Sequence, residues 1–482
     1  MQVTASTAEA ALRQLGEIHP HLAIRLFDDH GSVHSHLAVI LGDEEVPRDR
    51  LADTPIGADD ILTLLVAIAG GAEDVRMRGF RTRVSVTAAL EAALEGVVPL
   101  PGEEVAVTEC AGRVLAGAVV STVDVPGFRR ATMDGYALRS TDTIGSSAYS
   151  PASLRLTGAS MPGANALSPL DAGTAVRIMT GAPVPAGADA VLRAEDANEA
   201  GDRVEVLAPV AEGKNVGRIG EDVGAGTTVL TQGRRLLPQD VGLLAAIGAG
   251  PVAVRRRPRV RIIVSGDELV APGERPSGNR IVDSNSPMLQ ALVTRDGGVP
   301  EVIRLPDDQH AMRRALAEDG ADVIVTAGAA SVGTEDRVPM LVDELGDLVV
   351  HGVAMRPSSP SGVGRIKGVP VLLLPGNPVS CLVAYDFFAG PVIRRLGGLP
   401  EGWPYLSIRL PLDKRIVSQI GRTDYARVSI TDGLVEPLAI SGASVLSSVT
   451  RASGFVIVPE GLEGHAQGSE VEVHLYGDQV AR

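Results

Sequence analysis

Aromatic residues are scarce: Phe, Trp and Tyr make up 3% of the 482 residues, with a single Trp. The cores must therefore be packed from Ala, Val, Leu and Ile, which dominate a hydrophobic share of 45%. Cysteine is scarcer still. Cys110 and Cys381 lie far apart and lack CxxC spacing, which argues against both a disulfide framework and a structural zinc site. Cys381 reads as a small buried hydrophobe. Positive charge is in deficit, with 44 Lys and Arg against 59 Asp and Glu and a net charge of -15. No Lys/Arg stripe carries interleaved aromatics, so nucleic acid is not the expected partner, and an anionic ligand must be held by backbone amides and isolated cations. No apolar run reaches ~18 residues and no basic-then-apolar leader opens the chain, so the expectation is a cytoplasmic protein without a membrane span.

What is abundant is turn chemistry, 55 Gly and 32 Pro, spread over a length that implies three or four domains. Residues 1 to 71 read as a small separate unit: "TAEAALRQLGEI" has helical spacing, "LAIRLF", "HLAVIL" and "ILTLLVAI" read as strands, "GDEE" as a turn, and the unit ends in Gly70-Gly71. A linker with Arg76, Arg78, Arg81 and Arg83 follows. A helix at "VTAALEAALEG" opens a section of short β segments that runs to about residue 235. After a helix at 238–247, strands at 259–264, 299–304, 322–326 and 370–374 alternate with helices at 284–296, 308–318, 336–345 and 378–396. That alternation predicts a doubly wound, mostly parallel α/β sheet whose ligands sit at the carboxyl ends of the strands. From 404 to 482 short strands return, predicting a small β domain.

The stretch "VLLLPGNPVSCLVAYDFF" (371–388) passes from a buried strand through Pro375-Gly376-Asn377-Pro378 directly into a helix. Asn377 suits the N-cap and Pro378 the first helical turn. A helix N-terminus with Ser380 nearby favours an anion, most simply a phosphate; the alternative is a turn that only changes direction. Each of the other strands also ends in a polar or glycine-rich string: "SGDEL", "LPDDQ" and "TAGAASVGTED". In the last of these, Gly328 and Gly333 permit a nest of N–H groups and Ser331 adds a hydroxyl. Acids form the second constellation. Asp134, Asp222, Glu268, Asp307 and Asp336 lie in loops with glycine beside or near them, where a hard cation such as Mg²⁺ is held by carboxylates, waters and phosphate oxygens. Phosphate and carboxylate share one cleft only if a divalent ion bridges them, so the residues by themselves point to a Mg²⁺-dependent enzyme acting on a phosphorylated small molecule.

From about residue 84 onward the chain resembles the molybdopterin molybdotransferase (molybdenum insertase) family, which includes the C-terminal part of gephyrin. The motifs run in order: "VDVPGF", "MDGYA", "MTGAPVPAGADAV", "GRIGEDV", "SGDEL" with "IVDSNSPML", "SVGTED" and "LPGNPVS". The resemblance implies a homodimer that binds adenylylated molybdopterin, inserts molybdate with Mg²⁺ and releases AMP, alongside other molybdenum-cofactor biosynthesis proteins. Asp134, Thr180, Asp222, Glu268, Asp307, Asp336 and Arg356 fall on its catalytic positions, with Asp222, Glu268 and Asp336 on the metal. Gly328, Ser331, Gly333, Pro375, Gly376, Asn377 and Ser380 fall on its pterin-phosphate pocket. The implied division is an elongated linker domain (84–125 with 215–254), a β-rich domain (126–214), an α/β pterin-binding domain (255–403) and a C-terminal β domain (404–482).

The chain departs from the family pattern in two segments. Ala327, Ala329 and Ala330 stand where hydroxyl and glycine residues are common, and Arg356-Pro357-Ser358-Ser359-Pro360 replaces a segment with two lysines, with Gly352 at an upstream basic position. A lost charge-assisted bond to an anion costs about 1.5 to 3 kcal/mol, and Arg365 is the nearest candidate to compensate. These changes leave open a non-catalytic pterin-binding scaffold as the alternative. Residues 1–71 resemble the ubiquitin-like small subunit of molybdopterin synthase, whose terminal diglycine carries sulfur. This implies a β-grasp-like module, although the diglycine here is internal and the expected first strand is nearly absent; the two readings are a vestigial or interaction role, and cleavage after Gly71 to release a carrier.

Overall fold

The structure is a computed structural model that describes residues 5–18, 26, 33, 37–41, 44–46, 50–57, 60–66, 83–163, 165, 168–328, 338–439 and 442–477. The chain divides into two compact units, Met1–Val97 with Pro258–Arg394 and Glu401–Arg482, and Val98–Arg257 with Arg395–Pro400.

The first unit begins with α1 (Ala8–Ile18) and the strands β1 (Leu37–Leu41), β2 (Glu44–Val46) and β3 (Leu62–Val66), in antiparallel order β2-β1-β3. Ala8 and Leu12 of the helix are buried in one cluster with Val39, Val46 and Leu51. Glu44 and Glu45, read from sequence as a turn, belong to β2. Of "LAIRLF" only Leu26 is described, and it is helical rather than extended; Leu, Ala and Arg are good helix formers, and periodicity alone does not separate the two states in so short an apolar run. Gly70-Gly71 and the linker arginines up to Arg81 lie outside the described residues. Next comes α2 (Val86–Leu94), started by Ser85, whose hydroxyl accepts from the Ala88 N–H at 3.1 Å. Sequence grouped this helix with the elongated linker region. Its contacts lie with the unit of the α/β sheet: the Val84 N–H donates to Gly352, and Arg365 donates to the carbonyls of Ala92 and Glu95 at its C-terminus.

The second unit pairs β4 (Gly102–Val105) with a strand late in the chain and encloses a six-stranded mixed sheet. That sheet comprises β5 (Gly135–Leu138), β6 (Ala152–Ser160), β7 (Thr174–Ile178), β8 (Ala190–Arg193), β9 (Ala197–Ala200) and β10 (Arg203–Val206), in the order β8-β5-β7-β6-β10-β9. Only β6 and β7 run parallel. The helix α3 (Pro238–Ala246) and the strand β11 (Val252–Arg255), which pairs β4, complete it.

The α/β sheet contains β12 (Arg259–Ser265), β13 (Val299–Leu305), β14 (Val323–Ala327), β15 (Asp347–His351), β16 (Gly362–Ile366) and β17 (Val369–Leu374), in the order β13-β12-β14-β17-β16-β15. The first four strands in that order are parallel; β12, β14 and β17 carry the Val/Ile/Leu-rich runs of strands buried on both faces, while β13, at the edge, is partly exposed along its length. The helices between them are α4 (Asn285–Arg295), α5 (Gln309–Ala317) and α6 (Val338–Leu345). On one face of the sheet, α5 and α6 bury Leu316, Leu341 and Val342 against Ile263, Ile324 and Leu373. After β17 the chain forms α7 (Pro378–Ala384), a π-turn at Tyr385–Ala389 and α8 (Gly390–Leu396). The antiparallel strands β15 and β16 were not foreseen: "DLVVH" and "GVGRI" are short, and glycine dilutes the second. At Gly346 and Gly364 the approach is tight enough to exclude a side chain, since a Cβ would meet Arg365 O at 1.9 Å and Asp347 O at 2.7 Å.

The C-terminal sheet holds β18 (Ser407–Pro411), β19 (Thr423–Thr431), β20 (Leu434–Ala439), β21 (Gly454–Val458) and β22 (Glu470–Leu475). Met355–Arg356 adds a short parallel pairing to β19.

Candidate active site

At the carboxyl edge of the parallel strands three loop backbones lie against one another. A Cβ on Gly328, after β14, would sit 3.0 Å from the Ser265 carbonyl at the end of β12; one on Gly376, after β17, would sit 3.3 Å from the Gly328 Cα. Gly328 also has φ +101, a value glycine adopts without strain. The loops after β12 and β13 are joined by a reciprocal pair: the Asp267 N–H donates to Asp307 Oδ2 at 3.3 Å and the Asp307 N–H to Asp267 Oδ1 at 3.2 Å. Glu268 folds back over Gly266, where a Cβ would come within 2.6 Å of its Oε2. Glu268, Asp307, Gly328, Pro375 and Gly376 therefore share one edge. Ser331, Gly333 and Asp336 lie outside the described residues.

The turn before α7 differs from its sequence reading. Asn377 has the extended backbone of an N-cap, yet its side chain makes no capping bond; its Oδ1 accepts from the Ser444 hydroxyl at 2.9 Å. Pro378 offers no N–H, and the Val379 N–H is already donated to the Ala443 carbonyl at 2.9 Å. Ser380 is 3% exposed, buried in the helix with its carbonyl accepting from Ser358 Oγ. The C-terminal β domain has taken the Val379 N–H, one of the helix-start amides that sequence reserved for an anion. Burial also raises the pKa of the Cys381 thiol, and the Asp283 carboxylate adds to it, so this cysteine is an inert hydrophobe.

The "RIVDSNSPML" segment, matched as a motif but assigned no site residue, is a hub. Asp283, 2% exposed, accepts from the Ser286 N–H at 2.9 Å, from the Ser286 hydroxyl and from Arg304 Nε at 2.8 Å. Burial acts to raise its pKa, but the Ser286 bonds and Arg304 outweigh it, and the carboxyl lies below its ordinary value. Arg304 Nη2 in turn donates to Ser286 Oγ at 2.7 Å. Arg304 and Arg280 line a cleft of about 280 Å³ beside Gly266 and Asp267. Asn285 donates from Nδ2 to the Gly376 carbonyl at 2.7 Å. Sequence reasoning missed these residues because Ser and Asn before an apolar run read as helix-start residues and nothing more.

Asp134, Thr180, Asp222 and Arg356 lie on other elements. In the other unit, Asp134 Oδ1 accepts from both the N–H and the hydroxyl of Thr180, each at 2.7 Å. Those bonds, the backbone one first, hold its pKa below the ordinary value. Asp222, also in that unit, is exposed, with its N–H donated to Val125. Arg356 pairs with Asp424 of β19, a fully buried carboxylate that accepts from the Ser418 hydroxyl at 2.7 Å and forms an ion pair with Arg422 at 3.1 Å, without a hydrogen bond between them. Burial, and Arg422 next, lower the pKa of Arg83. Arg365 is no substitute for a lost lysine, because its donors cap α2.

Comparisons with known proteins agree with this architecture. Residues 84–248 match the family description "MoeA N-terminal region (domain I and II)", residues 261–395 "Probable molybdopterin binding domain", and residues 409–476 "MoeA C-terminal region (domain IV)". Molybdopterin molybdenumtransferase 2 of Mycobacterium tuberculosis is 35% identical over 384 residues, which is 77% of this chain and 94% of that protein. Molybdopterin molybdenumtransferase of Nostoc is 33% identical over 376 residues, 75% of this chain and 86% of that one. The crystal structure of the molybdopterin biosynthesis MoeA protein of Pyrococcus horikoshii superposes with a TM-score of 0.72 at 32% identity, covering 83% of this chain and 100% of the other. With its ordered motifs, its three matched regions and relatives above 30% identity along most of its length, the chain belongs to the molybdopterin molybdenumtransferase (MoeA) family.

Proposed function

We propose that this protein acts in molybdenum cofactor biosynthesis as a molybdopterin molybdenumtransferase, inserting molybdate into adenylylated molybdopterin and releasing AMP. The observation that carries the reading is the contact of three glycine- and serine-bearing loops at the strand ends, with Glu268 and Asp307 on the adjoining pair of loops. Backbone that approaches this closely suits a small ligand at the sheet edge, an anionic one once a divalent ion bridges it to the carboxylates. The donor chemistry fits Mg²⁺, which takes one or two carboxylates and keeps its other positions for water and phosphate oxygens. Glu268 and Asp307 would hold it, with Asp336 and Asp222 as further proposed ligands, and the ion would offset charge on the phosphates. Asp134 orients the Thr180 loop rather than moving a proton, because both Thr180 donors already stabilise its ionised form.

The proposal extends to a homodimer in the cytoplasm and to the domain division 84–125 with 215–254, 126–214, 255–403 and 404–482. The three family matches support the order of that division. Among the described residues no helix is long and apolar enough to cross a membrane. Residues 1–71 are read as a β-grasp-like carrier module, supported by one helix packed with three antiparallel strands. The test of function is AMP release from adenylylated molybdopterin with Mg²⁺ and molybdate; no release above that of Glu268→Ala contradicts it. For the carrier module, mass spectrometry of protein from its native cells decides: a fragment ending at Gly71 supports it, and the intact chain alone removes it.

A further inference from the structure

Asn285 stands at the start of α4 and is 8% exposed. Its Nδ2 donates to the Gly376 carbonyl at 2.7 Å, and that bond fixes which way the amide points, because the flipped amide would set oxygen against oxygen. The other arm, Oδ1, is enclosed and has no hydrogen-bond partner. An unmet buried acceptor is rare in a native protein because the lost hydration is not recovered. Here it sits beside the turn whose Gly376 contacts Gly328, which in turn contacts Ser265, so the orphan belongs to the glycine-lined edge.

The helix side of the same turn is short of donors: Pro378 carries no N–H, and the Val379 N–H goes to Ala443. An ionised phosphate offers acceptors alone and cannot meet Oδ1. A heterocycle edge that carries N–H groups can. We infer that Asn285 accepts a hydrogen bond from a ring N–H of a bound pterin, so that the ring, and not the phosphate, lies against the Gly376 turn. This rests on the pterin substrate proposed above and assigns that substrate an orientation and a specificity residue.

The test is a fluorescence titration of the full chain with 6-carboxypterin, beside calorimetric titrations with AMP and with inorganic phosphate. Asn285→Ala is expected to weaken the pterin by roughly tenfold while AMP and phosphate bind within twofold of wild type. Asn285→Ser, whose hydroxyl stops one bond short of Oδ1, is expected to weaken the pterin as the alanine variant does and serves if that variant fails to fold. Three results overturn the inference: equal weakening of pterin, AMP and phosphate, which makes Asn285 a brace for the turn; unchanged pterin binding in Asn285→Ala, which gives Oδ1 to water; and no pterin binding by wild type. Wild-type AMP release is scored separately, so a protein that releases AMP but shows one of these results loses only the orientation.

Discussion

Two acid-bearing glycine loops look alike in sequence and do different things in the structure. In the mixed sheet of the second unit, "MDGYA" meets "MTGAP": Asp134 is consumed locally by Thr180, and the following Gly135 is there for space, since a Cβ would lie 1.8 Å from the Leu192 carbonyl. At the edge of the α/β sheet, "SGDEL" and "LPDD" exchange bonds between loops through Asp267 and Asp307, while the Glu268 carbonyl accepts from the Ile281 N–H and its carboxylate makes no hydrogen bond among the described residues. The first loop is closed by its own chemistry and the second leaves a carboxylate available. An acid flanked by glycine is therefore not a site until its oxygens are accounted for.

The sharpest way to break this contrast is Glu268→Ala, expected to lower AMP release by about 10² to 10⁴-fold, the range for removing a positioned catalytic carboxylate. Its unfolding midpoint should stay within a few degrees of wild type; a protein that loses activity by unfolding makes Glu268 structural. Next in size is a pair of glycine substitutions. Gly135→Ala drives a Cβ into a backbone carbonyl and is expected to cost about 3 kcal/mol, read by denaturant unfolding. Gly376→Ala faces a 3.3 Å contact that a small shift relieves. It should leave stability nearly intact while weakening ligand binding. The reverse ranking would show that the sheet edge is packing and the second unit the ligand site.

Smaller effects sharpen the account. Asp283 has a depressed pKa in the fold, so its contribution is present at pH values above its ordinary 3.8 and is lost as pH falls through the lower folded value. Asp283→Asn should cost about 1 to 2 kcal/mol at neutral pH, discounted because Arg304 is partly solvated, and should remove that part of the acid sensitivity. The smallest is Thr180→Val, which deletes the hydroxyl donor and should move the Asp134 pKa up toward the ordinary carboxylate range in an NMR titration. An unchanged pKa would mean that the backbone N–H alone sets it.

The sheet edge was largely legible because four strands alternate with helices and each ends in a glycine-rich or acidic string. What hid was set by distant partners. Asn377 reads as a capping residue on local chemistry, but Ala443 and Ser444, more than sixty positions away, take the N–H it would have capped and the oxygen that would have capped it. Arg356 reads as an anion ligand and is found on Asp424, which no local pattern links to it. Asn285 and Arg304 drew no notice because each is ordinary in its own segment and acquires a role only when β12, β13 and β17 place their ends together.

The most direct test of the central claim is a crystal structure of the full chain soaked with molybdopterin. The account predicts ligand density against Ser265, Gly328 and Gly376, within reach of Glu268. Density confined to the Asp134–Thr180 loop, or a strand-end edge left empty at saturating ligand, would contradict it.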